Sequence, residues 1–209
     1  MQGLDIRALY YITHIDNLPS ILTTGILSHK RIKAENIQNT TIYLKHLVNK
    51  RQTKYTSDGE NLWHYANLFF QPRNSMLLSV IRSNGKQNIA VLRISNTVLQ
   101  KQGIFITDGI ASNKLTRIYS RSEGLEVLQA QQEMLQSDSW TSWNHSDKIR
   151  RQLMAECLVP NQVDPKDIQR FIVADRSVAS SVRTHLSFSD FQKLVIANDI
   201  DSNIFTPFG

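Results

Sequence analysis

An apolar run from Leu9 to Ile12 meets a polar group, Thr13, His14, Asp16 and Asn17, before Leu18, Ile21 and Leu22 recur at helical spacing. The first pattern predicts a strand over residues 10–15. The second predicts a helix to about Thr24, capped by Asp16 or Asn17, with Pro19 tolerated in its first turn and Gly25 ending it. Such a junction sets polar groups at the mouth of a helix, where unpaired backbone N–H groups favour an anionic or polar ligand. The same pattern also fits an ordinary strand–helix connection with a solvated histidine.

Further strands are predicted over residues 63–70, 87–95, 104–107, 153–159 and 171–174. Helices are predicted over 41–48, from a cap at Asn74 or Ser75 through Ile81, and over 122–136, 177–186 and 189–196. Residues 49–61 are turn-rich and read as a mobile loop, and 137–147 as a polar loop carrying Trp140 and Trp143. Helices and strands alternate without regular βαβ units, and neither GxGxxG nor GxxxxGK[ST] occurs. That argues against a Rossmann fold and a P-loop enzyme, and for the α+β class with mostly antiparallel strands.

One carboxylate breaks an apolar strand. Period-2 geometry puts Glu156 on one face with Met154 and Leu158, and Leu153, Ala155, Cys157 and Val159 on the other. Burying a carboxylate there is costly unless it is paired or opens onto a cleft. Glu156 is therefore the leading candidate for chemistry. An edge position facing water, or a pairing with Arg150 or Arg151, fits the same residues.

Composition narrows the class. The 209 residues suit one domain, 1–209, with a sizeable core, and 41% hydrophobic residues are ordinary for a soluble protein. The N-terminus has no basic-then-apolar leader pattern and no apolar run approaches membrane length, so a cytoplasmic protein is expected. Cys157 is the only cysteine and the six histidines lack ligand spacing, so neither a disulfide nor a structural zinc is expected. The net charge of +6 favours a polyanionic partner. The basic residues cluster at 29–33, 50–54 and 148–151, with Tyr43, Tyr55, Trp63 and Tyr65 near the second cluster. Cations interleaved with aromatics suit single-stranded nucleic acid, although solvated charged faces look alike in sequence.

Several blocks together resemble the DarT family of DNA ADP-ribosyltransferase toxins. They are Tyr10 to Leu22; Gln71-Pro72-Arg73-Asn74-Ser75-Met76-Leu77; Phe105-Ile106-Thr107-Asp108-Gly109 with Ala111-Ser112; and Arg150-Arg151-Gln152 followed by Ala155-Glu156-Cys157-Leu158-Val159. The resemblance implies an ADP-ribosyltransferase fold, two small antiparallel sheets around an NAD cleft with flanking helices. It implies an enzyme that consumes NAD as co-substrate and attaches ADP-ribose to a base of single-stranded DNA, commonly thymine and in one branch guanine. A macrodomain antitoxin of the DarG type is the implied partner, and a monomer the expected state. An ADP-ribosyltransferase-fold enzyme acting on RNA or protein, and a non-catalytic basic nucleic-acid-binding module, are the alternatives.

The resemblance also assigns roles. Glu156 matches the catalytic glutamate and Arg51 the catalytic arginine, with Lys50 the competing position. Tyr11, Ile12, Thr13, Ser20, Ser28, Arg51 and Arg73 fall in the implied cofactor site, and residues 33–51 in the element that folds over NAD. Where the family often has histidine, this chain has Tyr11. Residues 114–156 correspond to the loop presenting the nucleotide, with Tyr119, Trp140 and Trp143 as stacking options. No metal is implied.

Overall fold

The computed structural model describes residues 5–42, 45–137, 147–200 and 204–205. In chain order the strands are β1 (Ala8–His14), β2 (Ile26–Leu27), β3 (Tyr65–Phe69), β4 (Ile89–Ser95), β5 (Phe105–Thr107), β6 (Ile118–Ser120), β7 (Glu156–Pro160), β8 (Gln162–Val163), β9 (Ile168–Val173) and β10 (Leu194–Ile196). The helices are α1 (Leu18–Thr24), α2 (His29–Ala34), α3 (Lys45–Arg51), α4 (Ser75–Asn84), α5 (Arg121–Ser137), α6 (Asp147–Gln152), α7 (Arg176–Arg183), α8 (Phe188–Phe191) and α9 (Ala197–Ile200). No helix among the described residues is long and apolar enough to cross a membrane.

Eight strands form one sheet in the order β10-β9-β4-β1-β3-β7-β5-β6, and β2 pairs with β8 apart from it. All neighbours run antiparallel except β9 and β10. The long apolar runs follow from cover on both faces. Ala90, Leu92, Ile94, Phe171 and Val173 point into a core with Leu18, Ile21 and Leu22 of α1 and Val178 and Val182 of α7. Ile89, Val91 and Ile172 point the other way, against Leu77 and Val80 of α4 and Ala197 of α9. Alternate residues thus serve two cores, as the strand period requires.

The two small sheets expected from the family resemblance are here the two halves of that one sheet. β1 and β4 share seven partner pairs, and β3 and β7 share five. Between the halves, β1 and β3 share only Tyr10↔Phe69. In-register continuation would set Ile12 opposite Asn67 and Thr13 opposite Ala66, but the strands diverge before those rungs form.

Local differences from the sequence patterns have physical causes. A 3-10 turn, Ile15–Asn17, precedes α1, and the Asn17 side chain does not cap the helix. It bridges instead to Thr13 Oγ1 at 3.1 Å and to the Thr40 backbone at 2.8 Å. Asn74 does cap α4, accepting from Leu77 N at 3.0 Å. The helix read over 41–48 lies later, over Lys45–Arg51. The turn-rich 49–61 stretch is tied down by a Tyr55↔Asn61 bridge and by Leu62 N donating to Lys54 O at 3.0 Å. Residues 153–155 form a turn closing α6, so β7 begins at Glu156. The helix read over 189–196 splits, because Leu194–Ile196 pairs with Phe171–Val173; tertiary pairing overrides a weak helical pattern.

Gly25 ends α1 at φ 87° and ψ −176°, a region essentially closed to other residues. A Cβ here would lie 2.1 Å from the Val163 carbonyl oxygen, where β8 meets β2. Gly25→Ala is expected to destabilise the fold by about 1–3 kcal/mol from backbone strain alone, with the clash adding to it. Denaturant unfolding of the two proteins measures the difference.

Candidate active site

Where β1 and β3 part, a cavity of about 550 Å³ opens, within the usual range for a small-molecule site. Ile12 and Thr13 wall it from β1, and Ala66 and Asn67 from β3. The unmade rungs leave strand edges whose N–H and C=O groups need partners. Residues 39–42 with Val48 and Arg51 close one side, and Ser75, Met76 and Ser79 at the start of α4 another.

A buried ion pair, Arg51 with Glu156, sits at the foot of this gap. Phe69, the β3 member of the shared rung, pairs onward with Glu156 at the first position of β7. The Glu156 backbone N–H donates to Thr107 Oγ1 at 2.9 Å, and that hydroxyl donates to Gly109 O at 2.6 Å. The turn after β5 therefore fixes the start of β7. Arg51, the last residue of α3, reaches in from the opposite wall, its Nη1 2.9 Å from Glu156 Oε2. Both side chains are buried, at 6% and 2% exposure. Lys50, beside it on the helix, faces solvent.

Burial pushes the Glu156 carboxyl above the ordinary carboxylate range. The Arg51 guanidinium, the Ala111 backbone N–H and the Lys54 ammonium pull it back toward the anion. Arg51 Nε and Nη2 are buried with no hydrogen-bond partner among the described residues. Orphaned buried donors are rare and costly. Here they belong to a cavity-lining side chain, which suits a ligand rich in oxygen acceptors such as a dinucleotide.

His29 opens α2 on the cavity wall, its ring tilted against Trp63 with centroids 5.7 Å apart. Burial, with the Arg51 cation adding to it, pushes its pKa down to about 4. The imidazole is therefore neutral near pH 7.

The structure brings Tyr11, Ile12, Thr13, Arg51 and Glu156 onto one cavity. Ser20 lines a smaller adjoining recess together with Tyr11 and Thr13. Ser28 lies elsewhere: it is buried, and its Oγ caps α2 by accepting from Arg31 N at 3.4 Å. Arg73 sits half-buried in the turn before α4 and is not among the cavity-lining side chains, whereas Ser75 and Met76 just after it are. Arg151 does not pair with Glu156; its Nη1 donates to Leu115 O at 2.6 Å. Tyr119 is half-buried in β6, away from the cavity lining. Trp140 and Trp143 lie outside the described residues. Sequence patterns missed His29, which read as one member of a basic cluster, and Thr107, whose role depends on β5 lying beside β7.

Arg51→Ala is expected to lower stability at pH 7 by about 3–5 kcal/mol, because it leaves a buried carboxylate without its counter-charge. The deficit shrinks on acidification, since a proton then neutralises the isolated carboxyl. Urea unfolding at pH 7 and pH 5 tests both parts. His29 works differently. Between pH 6.5 and about 4 the unfolded chain binds a proton at this position that the folded chain refuses, so stability falls as pH drops through that window. His29→Asn is expected to flatten this part of the melting-temperature profile.

Residues 10–205 match the DarT family, described as ssDNA thymidine ADP-ribosyltransferase. A DNA ADP-ribosyl transferase–DNA ADP-ribosyl glycohydrolase fusion protein from Thermosipho africanus (strain H17ap60334) is 40% identical over 178 residues, 85% of this chain and 45% of that protein. Thermosipho africanus DarTG in complex with ADP-ribose matches in structure with a TM-score of 0.82 and 36% identity, over 97% of this chain and 52% of that one. Thermus sp. 2.9 DarT in complex with NAD+ matches in fold, with a TM-score of 0.72 and 24% identity, over 95% of this chain and 98% of that one. The chain spans about half the length of the Thermosipho relative. On the family match over residues 10–205, the chain belongs to the DarT family, described as ssDNA thymidine ADP-ribosyltransferase.

Proposed function

We propose that this chain is an NAD-consuming mono-ADP-ribosyltransferase that attaches ADP-ribose to a base in single-stranded DNA and releases nicotinamide. The observation that carries the reading is the buried Arg51–Glu156 pair at the foot of the cavity, with two further Arg51 nitrogens left for a ligand. Thymine is the favoured base, following the family's description, with guanine as the second choice. The described residues act as one domain and as a monomer, in the cytoplasm, where NAD and exposed DNA strands coexist. A macrodomain antitoxin of the DarG type is the expected partner, supported by the glycohydrolase fused to the Thermosipho relative.

The substrate supplies a cationic nicotinamide that leaves as a neutral molecule with the electrons of its ribosyl bond. Glu156 does the main work on the ribose. Its carboxylate faces the carbon that gains positive charge, and it holds a ribose hydroxyl. A preorganised group aimed at developing charge in a dry site contributes about 10²–10³ in rate. The base nitrogen then bonds to that carbon and gives up its proton to Glu156 or to water. The raised proton affinity of the buried carboxyl suits it to that transfer. Arg51 stabilises the anion forming on the base without exchanging its own proton. Tyr11 and Thr13 line the nicotinamide and ribose end, and His29 contributes a neutral hydrogen-bonding ring.

Mass spectrometry of DNA, RNA and protein incubated with the enzyme and NAD tests the acceptor. Glu156→Gln is expected to lower DNA labelling by about 10²–10³ or more. The variant should still be stabilised by NAD in a thermal shift, as a native-state ligand requires. Label on RNA or protein with none on DNA overturns the acceptor, and undiminished labelling by Glu156→Gln overturns the mechanism.

A further inference from the structure

A second concavity, of about 590 Å³, is lined in part by Trp63, whose ring tilts against the cavity-lining His29. It is a shallow groove lined by Lys30, Lys33 and Ala34 of α2 and by Gln52, Asn61, Trp63 and His64. We propose that this groove carries the stretch of single-stranded DNA flanking the target base, with Lys30 and Lys33 on the phosphates and Trp63 beneath a neighbouring base. The inference rests on the transferase reading above and extends it to a surface outside the cavity.

The division of cations on α2 points to a polyanion. Arg31 is spent on partners within the chain, with Nε 2.6 Å from Glu35 Oε1 and Nη1 bonded to Gln162. Lys30 and Lys33 are exposed and line the groove together. Three residues apart, they share one helix face about 4.5 Å apart along the axis.

Trp63 is held at both backbone and indole independently of any strand. Trp63 N donates to Asn61 Oδ1 at 2.9 Å, and Nε1 donates to Val48 O at 3.4 Å. Asn61 is itself tied to Gln52 O at 2.6 Å. His64, farther along, pairs with Glu60. A fixed aromatic floor with cations at its rim is the arrangement that grips a single strand without reading its sequence. The ring pair also gives continuity. His29 lines the catalytic cavity and Trp63 lines the groove, so a strand with one base in the cavity passes its next nucleotides over the indole.

The test is salt-dependent anisotropy with a fluorescent 20-nucleotide single strand. It compares the full chain with Lys30→Gln/Lys33→Gln. A control variant, Lys86→Gln/Lys193→Gln, removes the same charge outside both concavities. Losing two phosphate contacts is expected to shrink the slope of log affinity against log salt by about 1.4, at about 0.7 per contact. The control is expected to keep the slope. The loss of affinity is expected to be larger for the long strand than for a four-nucleotide one. An NAD thermal shift checks that each variant is folded. A groove variant with the parent's slope, or a control variant that loses as much, overturns the groove. A parent protein that puts no ADP-ribose on any DNA strand overturns the transferase reading instead, so the two failures are distinct.

Discussion

One unformed stretch of β-ladder governs this molecule. β1 and β3 meet at the single rung Tyr10↔Phe69 and then part. Each strand is held on its other side, β1 by β4 over seven pairs and β3 by β7 over five. The sheet therefore stays one body while its middle opens. The gap supplies backbone edges, and Glu156 lies one strand from the rung where it begins. A sheet fully paired through Thr13 and Ala66 would close the gap that Ile12, Thr13, Ala66 and Asn67 now wall.

An ion pair with almost no water contact is an expensive way to hold α3 against β7. Apolar residues of similar volume generally stabilise such positions as well or better. The surroundings offset part of the cost. The Ala111 N–H and Lys54 favour the Glu156 anion, and Thr107 fixes the backbone from which the carboxylate projects. The orphaned donors of Arg51 are not offset within the described protein. A buried charge pair and unsatisfied polarity gathered at one place are features that folds generally give up stability to keep at functional sites.

Charge elsewhere falls into two kinds. Some cations are absorbed by the fold, such as Lys101 between Asp164 and Asp167, and Arg31 against Glu35. Others line concavities: Arg51 in the cavity, Lys30 and Lys33 in the groove. A net charge of +6 favours polyanions in general, and the second kind of cation is the one left facing open concavities.

The sequence by itself determined the elements whose signals are local. The strand–helix opening at residues 9–24, the Asn74 cap of α4 and the apolar runs of β4 and β9 rest on neighbours a few residues apart. It also marked Glu156, because a carboxylate inside an apolar strand is costly wherever the strand packs. The family's motif added Arg51, 105 residues distant from Glu156 along the chain. Tertiary structure decided what depends on long-range pairing. It took Ser28 into a helix cap, made β10 from a segment with a helical pattern, moved His29 from a basic cluster to a cavity wall and set Thr107 beneath Glu156. A strand's period says which face a side chain takes, but not which strand lies beside it or where two strands stop pairing, and the site exists because of where they stop.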